Sequence, residues 1–367
     1  MNTNLMYATR FCGVLLIAAI PLHAQKVKDA KASYLDVPAR QTFVEHTTSP
    51  LVLKAKASLL SCVKLADIPA PQGHFTVPSH YLNGSYGPTN PLEAKAVKPY
   101  YAFETRITSG INQYVATGNE AEAACALAQM DEWARGKALL DFDTKESSQA
   151  WFQVEWTLSS LGATESVLVN DPHLDPAQQK RVIAWLDVVA HRMLSFEKPG
   201  DGNNHRYWRA LAATSVGVVA NDNGLFRHGI DVFHDAVAQE DANGAFPLEM
   251  KRHERAIHYQ FFALQPLVIL AEFGERQGVP LYAYSSHGRT LRDAVVFLGK
   301  AVDDPSIVKQ YNPVAQKLDY GGSDYSPFQF YAARFGVEGL GKAMPAGLRH
   351  STTASRIGGN TTVLAAK

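Results

Sequence analysis

Two short polar clusters hold the residues of this sequence that could do chemistry. The first is NNHRYW at 203–208, directly before an apolar run, and the second is EMKRHERAIHY at 249–259. Between them they supply amide, imidazole, phenol and guanidinium groups, which can neutralise a carboxylate and move a proton. The candidate residues are Asn204, His205, Trp208, Arg252, Arg255, His258 and Tyr259.

The spacing of the second cluster predicts a helix with two faces. Apolar residues from Ile257 onward form a core stripe at about 100° per residue, and Arg252, Arg255 and Tyr259 group on roughly the opposite face. His258 points away from that polar face by about 120°, so we expect it to have different partners. A solvated outer face would show the same pattern, so this helix alone does not decide between a surface and a site.

The chemistry that suits this set is β-elimination from a uronic acid polymer. The C5 proton of a 4-linked uronate is weakly acidic until its carboxylate is neutralised, which asparagine and arginine can do with hydrogen bonds that strengthen as charge develops. A histidine or tyrosine takes the proton, and a tyrosine can donate one to the departing glycosidic oxygen. Trp151 and Trp208 would give sugar rings an apolar face for stacking.

Other functions are compatible with parts of the same pattern. A glycoside hydrolase needs two carboxylates facing its groove, and the acidic residues near the clusters have no supporting motif. A non-catalytic exported polysaccharide-binding protein could use the same groove, although binding alone does not require proton-transfer residues. A zinc site and Ser/His/Asp catalysis lack the spacings typical of them, so we expect no metal and no cofactor. The hydrolase candidates are Asp201, Asp241, Glu249 and Glu254.

The surrounding chain predicts helices in series from about residue 95, joined by short turns rich in Gly, Asn, Asp and Pro. One of them opens with Asp175 as its N-cap and Pro176 at the first helical position. Residues 66–100 and the tail from about 312 are expected to be irregular. A solenoid, a bundle and a closed α/α toroid all fit, and the lack of a fixed repeat weighs against a solenoid.

The composition limits the cellular setting and the partners. Residues 1–24 resemble a cleaved signal peptide, with Arg10 before a short apolar run, and no later stretch approaches the length of a membrane helix. The formal net charge of the 367 residues is zero, which argues against a nucleic-acid binder. Two cysteines remain after residue 24, Cys62 and Cys125; they form either a disulfide or two unrelated buried thiols.

At these motifs the sequence resembles the alginate lyases of polysaccharide lyase family 5. NNHRYW at 203–208 is similar to that family's N-N-H-x-Y-W, and EMKRHERAIHY at 249–259 is similar to its K-R-x-x-R-A-x-x-Y segment. Matches also cover 124–139, SCVKLADIPAPQ near the mature start, and SRIGGN at 355–360. The resemblance therefore covers nearly the whole chain after residue 24, and it implies one domain over residues 25–367.

The resemblance implies an incomplete α/α toroid with a lid loop over a deep groove, and it implies four catalytic roles. Asn204 and Arg252 would neutralise the C5 carboxylate of an anionic polysaccharide. His205 would act as a base or stabilise the charged intermediate. Tyr259 would act as the general acid, and also as the base where the elimination is syn.

The resemblance also implies contacts to the substrate. The lid would contribute Ser79, His80 and Tyr81, and Trp151 resembles the family's groove tryptophan. Cys62 and Cys125 match a spacing that some members bridge. The predicted substrate-binding residues are His80, Tyr81, Trp151, Trp208, Arg255, His258 and Arg356.

Two departures from the family pattern concern the substrate. His258 stands before the catalytic tyrosine, where mannuronate-specific members have a small residue, and His80 replaces a basic lid residue. We therefore expect a polyuronate lyase that takes polymannuronate and extends to polyglucuronate or hyaluronan-type chains. We further expect a monomeric periplasmic enzyme that does not insert into membranes.

Overall fold

Helices form almost all of the regular structure. The computed structural model describes residues 25–84, 86–198 and 202–367, so the predicted signal peptide at 1–24 lies outside the described residues. The helices are α1 Val37–His46, α2 Pro50–Ala57, α3 Pro91–Thr117, α4 Glu120–Arg135, α5 Ser148–Leu168, α6 Pro176–Leu194, α7 Asn204–Ala220, α8 Asn223–Gln239, α9 Pro247–Met250, α10 Ala256–Arg276, α11 Leu291–Asp303, α12 Gly322–Tyr325, α13 Phe328–Phe335, α14 Ala343–Leu348 and α15 Thr361–Ala365. Within the described ranges, the strands are β1 Thr353–Ala354 and β2 Gly359–Asn360, which pair antiparallel.

Polar caps and prolines set where the long helices begin. Asp175 accepts a hydrogen bond from the Ala177 amide, with a proline in the first turn of α6, which confirms the predicted start. Asn90 and Asn119 cap α3 and α4 in the same way. Each cap satisfies an amide that has no partner within its helix, and this fixes the helix start.

Helix α5 was not predicted from the sequence, although it lies at the centre of the fold. Every residue from Gln149 to Leu168 is buried except Phe152, which is partly buried. A helix that is buried all round has no polar stripe, so its sequence lacks the periodicity that identifies amphipathic helices. Helix α5 packs against α3, α6 and α7.

Two segments that the sequence predicted to be irregular contain helices. Residues 66–100 were expected to be a loop, but α3 begins at Pro91, so the loop is shorter by ten residues. The tail after 312 contains α12 to α15 rather than irregular chain alone.

Helix α7 carries the first polar cluster in its first turns, so its packing fixes the position of that cluster. It packs against α5, α8 and α10 through close backbone approaches. A Cβ added to Gly162 would overlap the Ser215 hydroxyl, and one added to Gly229 would overlap that of Thr214. Small residues at these crossings let α5, α7 and α8 approach closely, which leaves little freedom for the start of α7.

The segment His253–Arg276, which includes α10, is long and apolar enough to cross a membrane by length and composition. Buried residues make up 89% of its apolar window. It lies within the main hydrophobic core, which explains its composition as that of a core helix.

A disulfide joins Cys62 to Cys125, which decides between the two alternatives that the sequence left open. It ties the short turn Cys62–Lys64 to α4, and Cys62 is fully buried. Beside it, Arg106 donates to the Leu65 carbonyl oxygen at 2.9 Å and pairs with Asp67. The bond therefore anchors the beginning of the long loop that leads to α3.

Removing this bond should destabilise the protein. The two cysteines are 63 residues apart, and closing a loop of that length removes about 4 kcal/mol of entropy from the unfolded chain. In the double variant Cys62→Ser, Cys125→Ser we expect urea denaturation to show a loss of about 2–5 kcal/mol in the free energy of unfolding. Reductant should lower the midpoint of the wild type but not of the variant. Equal midpoints for the oxidised wild type and the variant would contradict the assignment.

Candidate active site

A cavity of about 660 Å³ opens where the two polar clusters meet. Its walls come from the loop before α3, one face of α5, the start of α7, the segment 252–265, α12 and the turn between β1 and β2. These parts lie far apart in the sequence, so the cavity exists only when the helices have packed. The predicted site residues that line it are His80, Tyr81, His205, Arg252, His258, Tyr259 and Arg356.

His205 enters the cavity from the first turn of α7. Its backbone amide donates to the N-cap side chain of Asn203, and its ring stacks on Phe152 with centroids 3.6 Å apart. Nδ1 lies 2.6 Å from Oε1 of the buried Glu155. Burial lowers the pKa of His205 well below its ordinary value, and the charges of Arg209, Arg252 and Arg356 lower it further. The imidazole is therefore neutral near pH 7, so it can accept a proton.

Asn204 is held by a second buried carboxylate. Its backbone amide donates to Glu249 Oε1 at 2.7 Å and its Nδ2 donates to Oε2 at 2.9 Å. Asn204 is fully buried, and its Oδ1 has no hydrogen-bond partner within the described part of the chain. Its neighbours in sequence line the cavity, but Asn204 itself does not. Nδ2 carries two hydrogens, so one remains after the bond to Glu249.

Tyr259 and Arg252, from the second polar cluster, supply a phenol and a guanidinium to the cavity. The Arg252 guanidinium carbon lies 3.5 Å from the centroid of the Tyr259 ring, and the Tyr259 hydroxyl lies 2.9 Å from that of Tyr81. Burial raises the pKa of Tyr259 far above its ordinary value, and Arg252 opposes that rise. The phenol therefore keeps its proton, as a general acid must, and the guanidinium stabilises the phenolate that donation leaves.

A strained turn, not a helix, orients Arg252. Helix α10 begins only at Ala256, and Arg252 precedes the 3-10 turn His253–Arg255. His253 has φ of +45°, a left-handed conformation that a non-glycine residue adopts at a cost of roughly 1–3 kcal/mol. The Tyr86 ring packs on the His253 ring at 4.1 Å, so the loop before α3 covers this turn.

The loop that carries His80 and Tyr81 closes on itself before it reaches α3. The Leu82 amide donates to the Pro88 carbonyl oxygen, and the Asn90 amide donates to that of His80. His80 Nδ1 lies 3.3 Å from Glu93 in the first turn of α3. The loop thus contacts the far wall through Tyr81 while its base is fixed on α3.

A tight turn near the end of the chain places Arg356 in the cavity. Gly358 and Gly359 have φ of +99° and +95°, and a Cβ on either would overlap Tyr34 or Asn112. The guanidinium of Arg356 donates to the Tyr101 hydroxyl at 2.6 Å and lies 3.9 Å from the Trp156 ring centroid. The two glycines are therefore what allows this arginine to reach the site.

Comparisons with known proteins agree with this geometry. The family model described as alginate lyase matches residues 81–308. A polysaccharide lyase of Stenotrophomonas maltophilia strain K279a is 30% identical over 274 residues, which cover 74% of this chain and 80% of that protein. An alginate lyase of Pseudomonas aeruginosa strain LESB58 is 32% identical over 65% of this chain and 67% of its own length.

The crystal structure of alginate lyase A1-III from Sphingomonas species A1 is 37% identical, with a TM-score of 0.87 over 95% of this chain and 99% of that one. The chain belongs to the alginate lyase family. It is a polysaccharide lyase with the α/α toroid fold that the sequence resemblance implied.

Two predicted sugar platforms of this alginate lyase family member are not available to a substrate. Trp208 is fully buried and packs against Phe262 at 5.2 Å, because α7 is enclosed on nearly all sides. Trp151 is 8% exposed, and its Nε1 donates to the Met193 carbonyl oxygen. Neither lines the cavity; Trp156, which the sequence did not indicate, does.

The helical-wheel interpretation of the second cluster is wrong at two positions. Arg255 does not line the cavity and faces Asp319 at 3.8 Å. His258 was expected to point away from the polar residues, yet it lines the cavity beside Tyr259, with its Nδ1 3.4 Å from Asp324. Both errors arise because Arg252 and Arg255 precede the helix, so its angles do not apply to them.

The carboxylates near the clusters do not form a hydrolase pair. Glu249 is bound to Asn204, Asp241 accepts from the Asn243 and Ala245 amides, and Glu254 lies 3.6 Å from Lys317. None of these three lines the cavity, and Asp201 lies outside the described residues. The carboxylates that do line it are Glu93 and Asp324, each facing a histidine.

A group that could hold a metal ion lies elsewhere in the lyase. Asp187, His191 and Asp222 offer ligand atoms within 4.8 Å of one another. None of the three lines the cavity. Asp222 also caps α8, because its Oδ1 accepts from the Gly224 and Leu225 amides. This group therefore supplies no metal to the site.

Replacing Tyr259 with phenylalanine tests the acid. Because the phenol is the proton carrier beside Arg252, we expect Tyr259→Phe to lower kcat by about 10²–10⁴-fold. Binding of a polyuronate oligosaccharide, measured by calorimetry, should change less than about threefold, since only the hydroxyl is lost. Tyr331→Phe removes a hydroxyl from a buried tyrosine on α13 that does not line the cavity, and it should leave both quantities unchanged. Near-normal turnover by Tyr259→Phe would refute the assignment.

Proposed function

We propose that the protein cleaves 1,4-linked polyuronates of the alginate type by β-elimination and leaves a 4,5-unsaturated uronate at the new end. The observation that carries this is a neutral imidazole and a protonated phenol in one cavity with two arginines, Arg252 and Arg356. Its lining carboxylates each face a histidine, which suits an anionic substrate better than hydrolysis by a carboxylate pair. The names of the relatives, which include alginate lyases, support the same substrate class.

In the proposed reaction, Arg252 neutralises the C5 carboxylate of the uronate whose C4 carries the glycosidic oxygen. Asn204 does not line the cavity, so in this geometry its amide supports the wall next to His205, and Arg252 stabilises the negative charge that moves from C5 onto the carboxylate. When the C5 proton is removed, its electron pair forms the C4–C5 double bond and the C4–O bond breaks. The leaving oxygen then takes the proton of the Tyr259 hydroxyl, so the step needs no water and no cofactor.

Which side chain acts as the base depends on the stereochemistry of the sugar at C4 and C5. Where the C5 proton and the leaving oxygen lie on one face, Tyr259 serves as both base and acid: its phenol first releases its own proton to solvent, and the phenolate, stabilised by Arg252, takes the C5 proton and passes it to the leaving oxygen. Where they lie on opposite faces, one side chain cannot reach both, and Nε2 of the neutral His205 takes the proton. On this second route both groups start uncharged, so His205 can accept a proton and Tyr259 can donate one without an earlier exchange with solvent.

We propose polymannuronate as a substrate, with polyglucuronate and hyaluronan-type chains as further ones. Polyglucuronate differs from polymannuronate only at carbon 2, so the chemistry at C5 and at the leaving oxygen carries over. His258 and His80, which replace a small and a basic residue of the family pattern, lie in the cavity wall. Their imidazoles can hydrogen-bond ring hydroxyls, which favours a broader choice of sugar.

We also propose that the enzyme is exported to the periplasm and acts as a monomer. Arg10 and the apolar run after it support export, as does a disulfide, which persists in oxidising compartments. N-terminal sequencing of the exported protein and its mass in solution are the checks.

An ultraviolet assay tests the reaction. We expect absorbance from the C4–C5 unsaturated product on mixing the protein with polymannuronate and, more slowly, with polyglucuronate. Polyguluronate serves as the epimer for comparison. Reducing ends that appear without the chromophore would mean hydrolysis, and no change with any polyuronate would leave only binding; either result would overturn the proposal.

His80 is tested by substitution. Arginine at this position carries a fixed positive charge and glutamine carries none, so their attraction for a substrate carboxylate should differ. We expect KM for polymannuronate to be lower in His80→Arg and higher in His80→Gln than in the wild type. The same KM in all three proteins would show that His80 is not the clamp.

A further inference from the structure

A chain of ion pairs runs from His205 through the buried Glu155 and Arg209 to Asp235, which is exposed. Glu155 on α5 contacts His205 Nδ1 through Oε1 at 2.6 Å and Arg209 Nη1 through Oε2 at 3.2 Å. Arg209 continues to Glu197, whose Oε2 accepts from its Nε at 2.9 Å. Glu197 also accepts from Arg206, whose other end pairs with Asp235 at 2.8 Å.

Because Glu155 and Arg209 are buried, the charge of each is stabilised by the other. Glu155 is fully buried and the side chain of Arg209 is 2% exposed. A buried ion without a partner costs several kcal/mol, whereas a hydrogen-bonded pair offsets most of that cost. Arg209 is further fixed by its guanidinium carbon, 4.2 Å from the centroid of the Trp151 ring. The carboxylate of Glu155 is therefore held in one position from its far side.

The charged groups around His205 determine its protonation state and which ring nitrogen carries the hydrogen. Glu155 is paired with Arg209, which it shares with Glu197. Arg209, Arg252 and Arg356 all oppose a cationic imidazole. Burial raises the pKa of Glu155 and Arg209 opposes that rise, so the ion pair with Arg209 is what keeps this carboxyl group ionised. An ionised carboxylate accepts and cannot donate, so the nitrogen beside it must carry the hydrogen.

We propose that Glu155, held by Arg209, is a positioning residue that fixes His205 in the neutral tautomer with its hydrogen on Nδ1. Nε2 on the other edge of the ring then carries the lone pair toward the cavity. This rests on the proposed function, in which Nε2 takes the C5 proton of one epimer class. It assigns catalytic importance to two residues that do not line the cavity.

The helix packing supports a positioning role. His205 and Arg209 lie four residues apart on α7, one turn along the same face, while Glu155 lies on α5. The crossing of α5 and α7 is held close by Gly162 against Ser215. The carboxylate therefore bridges two side chains of a helix that cannot shift, and the Phe152 ring fixes the plane of the imidazole.

The tautomer can be read directly by nitrogen NMR of histidine-labelled protein without substrate, with the His205 signals assigned from a His205→Gln sample. At pH 7 we expect a pyrrole-type Nδ1 and a pyridine-type Nε2 in the wild type. In Glu155→Gln the side-chain amide can donate to Nδ1, so the hydrogen moves to Nε2. Because no substrate is present, this readout stands whether or not the enzyme cleaves polyuronates.

Kinetics supply the second readout. On a uronate whose C5 proton and leaving oxygen lie on opposite faces, for which His205 is the base, we expect Glu155→Gln to lower kcat by about 10²–10⁴-fold with KM changed less than about threefold. Arg209→Lys keeps the charge beside Glu155 and should retain more of kcat than Glu155→Gln does. Glu165→Gln is the matched control, the same change at a fully buried glutamate on the same helix, and it should leave kcat and the His205 signals unchanged.

Two results would overturn the proposal. One is a wild-type His205 at pH 7 with hydrogen on Nε2 or on both nitrogens, which the spectrum shows even if Glu155→Gln fails to fold. The other is a folded Glu155→Gln with wild-type kcat and an unchanged tautomer. Loss of kcat in Glu155→Gln and Glu165→Gln alike would show a general effect of packing in α5, and would equally contradict a specific role for Glu155.

Discussion

The pairing of buried charge is the constraint on which this active site depends. Glu155 is fully buried, where an unpaired carboxylate would cost several kcal/mol. Its partners, His205 and Arg209, come from one face of α7, and the carboxylate comes from α5. The contacts that compensate this charge are thus the same contacts that aim the imidazole. Core and site are one structure here, because loosening the helix crossing would also release the catalytic side chain.

The same arrangement recurs at the other walls of the cavity. Glu249 holds the amide of Asn204, and Glu104 accepts from the Ser355 hydroxyl at 2.8 Å, next to the residue that brings its guanidinium into the cavity. In each case a buried carboxylate accepts a hydrogen bond from a group at or behind the cavity wall and fixes its position. Apart from Glu93 and Asp324, which each face a histidine, the ionisable groups that line the cavity are arginines, histidines and tyrosines. A cavity built in this way suits a substrate that brings its own carboxylates.

The residues predicted helices in series and the polar clusters, and the family resemblance implied the toroid; the predictions failed where tertiary packing decides. The clusters were recognisable because His205, Arg252 and Tyr259 lie in short segments of unusual composition. Helix α5, which supplies Glu155 and Trp156, gave no signal, because burial on every side removes the contrast between faces. The orientation of Arg252 depends on a left-handed backbone at the next residue, which helical periodicity cannot express. The burial of Trp208 likewise follows from the enclosure of α7 by three helices.

The arginines and the histidines of the cavity contribute to substrate binding in different ways. The chain has no net formal charge, so attraction for a polyanion must come from the arginines gathered at the site. Arg252 and Arg356 remain charged at any working pH and can bind a uronate whatever its configuration. His80 and His258 each face a carboxylate at the wall, so these two positions do not present an isolated cation to the substrate. Elimination at C5 needs only the arginines together with Tyr259 and a base, whereas the choice between mannuronate and glucuronate depends on contacts at carbon 2. Substrate range can therefore change through the wall histidines without disturbing the buried carboxylates that keep the chemistry in place.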